Sequence, residues 1–351
     1  MSMVISRTPY RVSFFGGGTD YHPWYRQHGG AVLATTINKY CYIHCRNLPP
    51  FFEHRSRIVW SRIELVDDHA DILHPVIRAA LSTFGVTDGV EVQHHGDLPA
   101  RSGVGSSSAF TVGMLHTLYA LRGQMVSKRQ LAELAIHLER EVLHEQVGVQ
   151  DQIATAIGGL NRIDIATDGS FEVQPLLMSR ARTEELEDHL MLFFTGVSRS
   201  ASAIAAEQIA TIADRQAALW RMYELVDEAQ RLLTSNAPLA ELGTLLDETW
   251  RLKRSLTPKI APGFVDDIYE RARSAGALGG KLLGAGGGGF MLFLVPPDAR
   301  PSVAAKLGDL IHVPFEFETG GTQLVYYEPP RADRASRVPD PMRMATSAVQ
   351  V

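Results

Sequence analysis

Leu98-Pro99-Ala100-Arg101-Ser102-Gly103-Val104-Gly105-Ser106-Ser107-Ser108-Ala109 is the stretch on which the reading of this chain turns. A strand-like run, GVEVQHH at 89–95, precedes it, and an apolar helical pattern over 106–121 follows it. The first turn of a helix leaves N–H groups without intrahelical partners, and the helix dipole makes that end attractive to anions. Glycines just before such a start let the backbone wrap a phosphate, and serine hydroxyls add donors and a Mg²⁺ ligand. No Gly-Lys-Ser/Thr occurs here or elsewhere, so this is not a Walker A loop. An ordinary Ser-capped helix after a flexible loop is the plainer alternative, and this stretch alone leaves it open.

Two other glycine-rich segments flank it in sequence. Phe15-Gly16-Gly17-Gly18-Thr19-Asp20 follows a strand-like run at 3–15. Its glycines permit a sharp turn and close approach to a ligand, with Asp20 as an acceptor for sugar hydroxyls. A tight turn with an Asp cap explains the same residues equally well. Lys281-Leu282-Leu283-Gly284-Ala285-Gly286-Gly287-Gly288-Gly289-Phe290 places five glycines in six positions ahead of an apolar strand. Glycine weakens a strand interior, so close approach to another backbone or to a ligand is the better reading.

Acidic candidates lie in 137–152, HLEREVLHEQVGVQDQ. Ser127 and Gln130 make a capping box for the helix before it, with Leu131, Leu134, Ala135, Leu138 and Val142 on one apolar face. Glu139 and Glu141 close that helix, and Asp151 follows between apolar neighbours, Val149 and Ile153. Phosphoryl transfer needs an acceptor base or orienting carboxylate and a carboxylate for Mg²⁺, and two acids separated by one loop supply both. A solvated helix face is the competing account of Glu139-Arg140-Glu141. There is no His-Glu-x-x-His and no Gly-x-Ser-x-Gly elbow, which argues against zinc peptidase and serine hydrolase chemistry.

The whole chain is consistent with an intracellular enzyme. It has 351 residues, 45% hydrophobic content and a formal net charge of -5, which disfavours a nucleic-acid binder. Its two cysteines, Cys41 and Cys45, lie four apart on one strand-like run and read as buried reduced thiols. No apolar run has the length of a membrane span or the form of a signal peptide, so the cytoplasm is the expected compartment. The run at 30–46 reads as two strands turning near Asn38-Lys39. The polar stretch 176–188 reads as the boundary between two α+β domains, 1–180 and 181–330, and the Pro/Arg/Asp/Ser-rich tail 331–351 as mobile.

In this order, the three glycine segments and Asp151 resemble the GHMP kinase superfamily, from about residue 4 to 328. The resemblance implies a two-domain architecture, with an N-terminal ribosomal-protein-S5-like domain and a C-terminal ferredoxin-like domain. It implies ATP and Mg²⁺ as co-substrate and cofactor. Arg101, Ser102, Gly103, Val104, Gly105, Ser106, Ser107 and Ser108 would form the ATP phosphate loop, although Arg101, Ser102 and Val104 depart from the usual pattern. Ser107 and Glu139 would hold Mg²⁺, with Glu141 competing for Glu139's role. Asp151 would be the base, and Arg11, in Pro9-Tyr10-Arg11-Val12, the cation beside the transferred phosphoryl.

Within the superfamily, the Gly16–Asp20 turn, His28-Gly29-Gly30-Ala31-Val32-Leu33, Thr195-Gly196-Val197-Ser198-Arg199-Ser200 and Trp250-x-Leu252-Lys253 resemble bacterial heptose kinases. That likeness implies transfer to the anomeric hydroxyl of a heptose 7-phosphate, giving a 1,7-bisphosphate. Gly17, Gly18, Thr19, Asp20, Gly286 and Gly287 would hold the sugar, and Arg199 and Lys253 its distal phosphate. A kinase for unphosphorylated fucose, galactose or mannose, and a non-catalytic regulator, are the alternatives. Monomer and homodimer stay open.

Overall fold

The computed structural model describes residues 2–197 and 201–329, without the side chains of 201–203. Arg199 and the 331–351 tail lie outside the described residues.

The first half runs β1 (Met3–Phe15), α1 (His22–His28), β2 (Gly30–Asn47), β3 (Ser56–Val59), β4 (Ile63–Val66), α2 (Pro75–Thr83), β5 (Val90–Gly96) and α3 (Ser106–Leu121). It continues through α4 (Lys128–His137), α5 (Gln150–Ile157), β6 (Asn161–Ile165) and β7 (Phe171–Pro175). The second half contains α6 (Arg180–His189), β8 (Leu190–Phe194), α7 (Ala201–Thr211), α8 (Gln216–Leu233), α9 (Leu239–Leu256) and α10 (Gly263–Ser274). Then come β9 (Gly279–Leu282), β10 (Phe290–Leu294), α11 (Arg300–Lys306), β11 (Ile311–His312), β12 (Phe317–Glu318) and β13 (Gln323–Glu328).

Among the described residues these strands make two sheets. A nine-stranded sheet is built on β13-β1-β2-β5-β3-β4, with β6 and β12 pairing β2 and β7 pairing β6, and a four-stranded sheet runs β11-β8-β10-β9. The architecture is the expected α+β. One apolar core lies under the large sheet, where α3, buried on nearly every face, packs against β1 and β2. A second core joins the small sheet to α7–α10 and takes in Trp24 of α1.

One sequence expectation changes, and the region after residue 176 gains detail. Asn38-Lys39 is not a turn: β2 is a single 18-residue strand. Pro9 pairs with Tyr40 and Tyr10 with Ile37, so the two residues form a bulge, which bends a strand without ending it. Residues 180–189 are a helix, capped by the Ser179 hydroxyl accepting from Arg182 N–H. The polar stretch is polar because that helix buries little besides Leu186. Finally, the C-terminal segment does not stay with the small sheet. β13 returns to pair β1 from Met3↔Glu328 to Arg7↔Gln323, covering an edge that would otherwise be open, and β12 pairs β2. The 181–330 span therefore contributes to both sheets. Among the described residues no helix is long and apolar enough to cross a membrane.

Candidate active site

A cavity of about 750 Å³ opens between the two sheets, within the range of small-molecule sites. Its centre is an ion pair. Arg11, on β1 and 3% exposed, donates from Nε to Asp151 Oδ1 at 2.7 Å and from a terminal nitrogen to Asp151 Oδ2 at 2.8 Å. Its third donor meets the Gly103 carbonyl at 2.6 Å. This fork fixes the carboxylate's plane while leaving each oxygen a further lone pair. Asp151, in the first turn of α5, stays open to the cavity.

The phosphate loop lies over this pair. Gly105 caps α3 in the left-handed region (φ 71°), and a Cβ there would come 3.0 Å from Arg11 Cγ. Arg101, Gly103, Gly105, Ser106, Ser107 and Ser108 line the cavity. Ser102 and Val104 do not: they hold the loop's shape, with the Ser102 hydroxyl donating to Pro99 O at 2.6 Å and Val104 O accepting from Arg11 N–H at 3.0 Å.

Behind the helix start lies Glu139, wholly buried on a π-helical turn, Leu138–Val142. Such turns are frequent at functional sites. Its Oε2 accepts from the Ser108 hydroxyl at 3.0 Å and from the Gln152 amide, while Oε1 has no partner among the described residues. Burial pushes its carboxyl up to about 7. A buried carboxylate with one oxygen unused suits a hard divalent cation, although Glu139 itself lies behind the cavity lining. The adjoining hydroxyl is that of Ser108, whereas Ser107 lies exposed on the cavity rim, and Glu141 points to solvent.

The Gly16–Asp20 turn forms the next wall. Gly17, Gly18 and Asp20 reach the cavity. Asp20 accepts from Gly18 N–H at 2.9 Å and, at 3.5 Å, from Gln150 N–H; burial raises its carboxyl above the usual range. Thr19 turns the other way, its hydroxyl donating to Gly16 O and Ala31 O and so tying the turn to β2.

The third glycine segment is explained by backbone packing. A Cβ on Gly284 would stand 2.5 Å from Gly103 Cα, and Phe290 N–H donates to Ser102 O at 3.2 Å. The segment is the back support of the phosphate loop. Gly286 and Gly287 lie against Ile260, away from the cavity, so the expected sugar contact from them is not seen.

Several lining residues escaped the sequence reading. His74 stacks on Phe110 at 4.5 Å, with Trp60 edge-on to His74 and His94 edge-on to Phe110, making an aromatic wall on the far side of the loop. Burial pushes His74 and His94 down to about 4, so both are neutral near pH 7. In the sequence Lys281 opens the third glycine segment, and a lone Lys within a buried Gly-Gly-Lys-Leu strand is the signal for it. Lys253, which the sequence likeness places at a distal phosphate, also reaches the cavity, 6% exposed.

Residues 71–159 match the GHMP kinases N terminal domain and residues 224–311 the GHMP kinases C terminal. The chain belongs to the GHMP kinase family and is an ATP-dependent kinase. It is 28% identical to the D-glycero-alpha-D-manno-heptose 7-phosphate kinase of Campylobacter jejuni subsp. jejuni, over 88% of this chain and 94% of that protein. Its fold resembles that of a D-glycero-D-manno-heptose 1-phosphate kinase from Bacteriodes thetaiotaomicron (TM-score 0.76, 24% identity, 92% and 99% of the two chains). It also resembles Lactococcus lactis galactokinase complexed with galactose (TM-score 0.70, 18% identity, 92% and 95%).

Proposed function

We propose that the chain transfers the γ-phosphoryl of ATP to the anomeric hydroxyl of a heptose 7-phosphate, yielding the 1,7-bisphosphate and ADP. The observation that carries the chemistry is the Arg11–Asp151 fork beneath the phosphate loop. Support for the sugar is the likeness to the heptose 7-phosphate kinase. The aromatic wall of Trp60, His74 and Phe110 takes the base, and the start of α3 at Gly105–Ser108 donates N–H groups to the phosphates. Glu139, with a serine of the first turn, Ser108 or Ser107, would hold Mg²⁺, which would supply charge neutralisation at the phosphates. Asp151 accepts the proton of the attacking hydroxyl as its oxygen bonds to the γ-phosphorus and the bond to ADP breaks. Arg11 aims that carboxylate and adds positive charge where the transferred group passes. Gly17, Gly18 and Asp20 orient the sugar, and the use of ATP supports a cytoplasmic reaction. An ADP-release screen over hexoses, heptoses and their terminal phosphates tests the reading. Preference for a heptose 7-phosphate is expected; preference for an unphosphorylated sugar would overturn the substrate while leaving the kinase.

A further inference from the structure

Lys253, which the heptose-kinase likeness already assigns to a distal phosphate, faces the cavity together with a second lysine, Lys281, that no sequence motif singles out. Lys253 stands on α9 and Lys281 on β9, 6% and 2% exposed. Lysine is almost never this buried without a partner. Lys253 Nζ donates to the carbonyls of Leu282 at 2.9 Å and Gly284 at 2.5 Å; Lys281 Nζ donates to Phe14 O at 2.9 Å. An ammonium has three donors, so one remains on Lys253 and two on Lys281. Neither makes an ion pair with a carboxylate among the described residues.

The charges around them do not balance. Lys253 faces Arg11, Asp20 and Asp151, and Lys281 faces Lys253, Arg11 and Asp20. Three basic side chains thus share two carboxylates, and Arg11 is already committed to Asp151. Burying an uncompensated charge is expensive. Burial lowers both ammoniums, Lys253 to about 7, in keeping with a site short of negative charge. The pair also has a definite place. Lys281 is bonded to Phe14, next to the Gly16–Asp20 turn, so the pair belongs to the sugar side of Asp151 and not to the aromatic wall.

We propose that Lys253 and Lys281 form a second anion site in the cavity, which takes a phosphate carried by the acceptor. This rests on the sugar-phosphate reading above. The other possible source of the same chemistry is the γ-phosphate of ATP.

The test compares wild type with Lys253→Met and Lys281→Met in three arms. The first is KM for a sugar phosphate, its unphosphorylated counterpart and ATP. Loss of a charge-assisted hydrogen bond predicts a rise of about 10- to 100-fold for the sugar phosphate alone. A rise confined to ATP, or an equal rise for both sugars, overturns the proposal. The second arm is calorimetric titration of wild type and variants with inorganic phosphate, without turnover. Weakened binding in the variants supports the site even if wild type prefers an unphosphorylated sugar, which would sink only the substrate reading; unchanged binding overturns the site. The third arm covers variants that do not fold: acetylation of Lys253 and Lys281 in wild type, read by mass spectrometry. Protection by inorganic phosphate is expected, and equal labelling with and without it overturns the proposal.

Discussion

Arg11 and Asp151 answer each other; Lys253 and Lys281 answer nothing but carbonyls. The first pair is a closed bidentate unit that also grips Gly103 O, so it arrives preorganised before any ligand does. The second pair is more deeply buried than Asp151 and keeps unused donors. A satisfied buried charge sets geometry, whereas an unsatisfied one waits for a counter-charge. Under the proposed function, the contrast would separate the part of the cavity that performs the transfer from the part that selects what is transferred to.

The most severe way to break the comparison is at its closed half. Asp151→Asn should cut kcat by about 10²- to 10⁴-fold, the range for loss of a positioned base, while an ATP-induced melting shift persists. Near-normal turnover would remove Asp151 from the chemistry. Because Arg11 acts through the same fork, Arg11→Met combined with Asp151→Asn should be little worse than the poorer single variant. Additive losses would mean that the two act separately.

A smaller effect is expected behind the loop. Glu139→Gln should raise the Mg²⁺ concentration needed for half-maximal rate by about 10-fold or more, with little change in melting temperature. If Glu141→Gln does this instead, the metal carboxylate is misassigned, although Glu141 points to solvent.

The smallest effect comes from the open half. Burial holds Lys253 at about 7, far below an ordinary lysine, with Arg11 adding to the depression and Asp20 and Asp151 opposing it. Burial, with Lys253 and Arg11 beside it, lowers Lys281 further still. Lys253 is therefore charged below pH 7 and loses its proton above it. Affinity for a phosphorylated acceptor, read as KM against pH, should fall as pH rises from 7 to 9, by less than about 10-fold per unit, while KM for ATP stays flatter. A KM that improves over that range would contradict the charge assigned to Lys253.

How much of this was legible depended on how local the signal was. α3 spans Ser106–Leu121, the range its apolar pattern predicts, because a glycine loop and a serine-rich first turn mark its start within a few residues. β1 ends at Phe15 for the same reason. The Asn38-Lys39 bulge was not legible, because bulges and turns draw on the same residue types and only the register with β1 distinguishes them. The return of β13 to β1 joins residues more than 300 apart, which no local pattern encodes. In the site, Arg11 and Asp151 were singled out as parts of motifs, but that they form one fork came only from the fold. Glycines 286 and 287 misled because a run of glycines signals close approach without saying to what; the close approach of this run is to backbone, at Gly103 and Ile260. Lys281 is hard to single out in sequence because it sits between Gly279-Gly280 and the glycine run from Gly284.

The most direct test of the central claim is a ³¹P NMR spectrum of the product formed from heptose 7-phosphate, ATP and Mg²⁺, recorded for wild type and for Asp151→Asn. The account predicts that wild type yields a new anomeric phosphate resonance with the 7-phosphate retained, and that the variant yields none on the same timescale. Heptose 7-phosphate left unchanged by wild type, or the anomeric signal appearing at an undiminished rate in the variant, would contradict it.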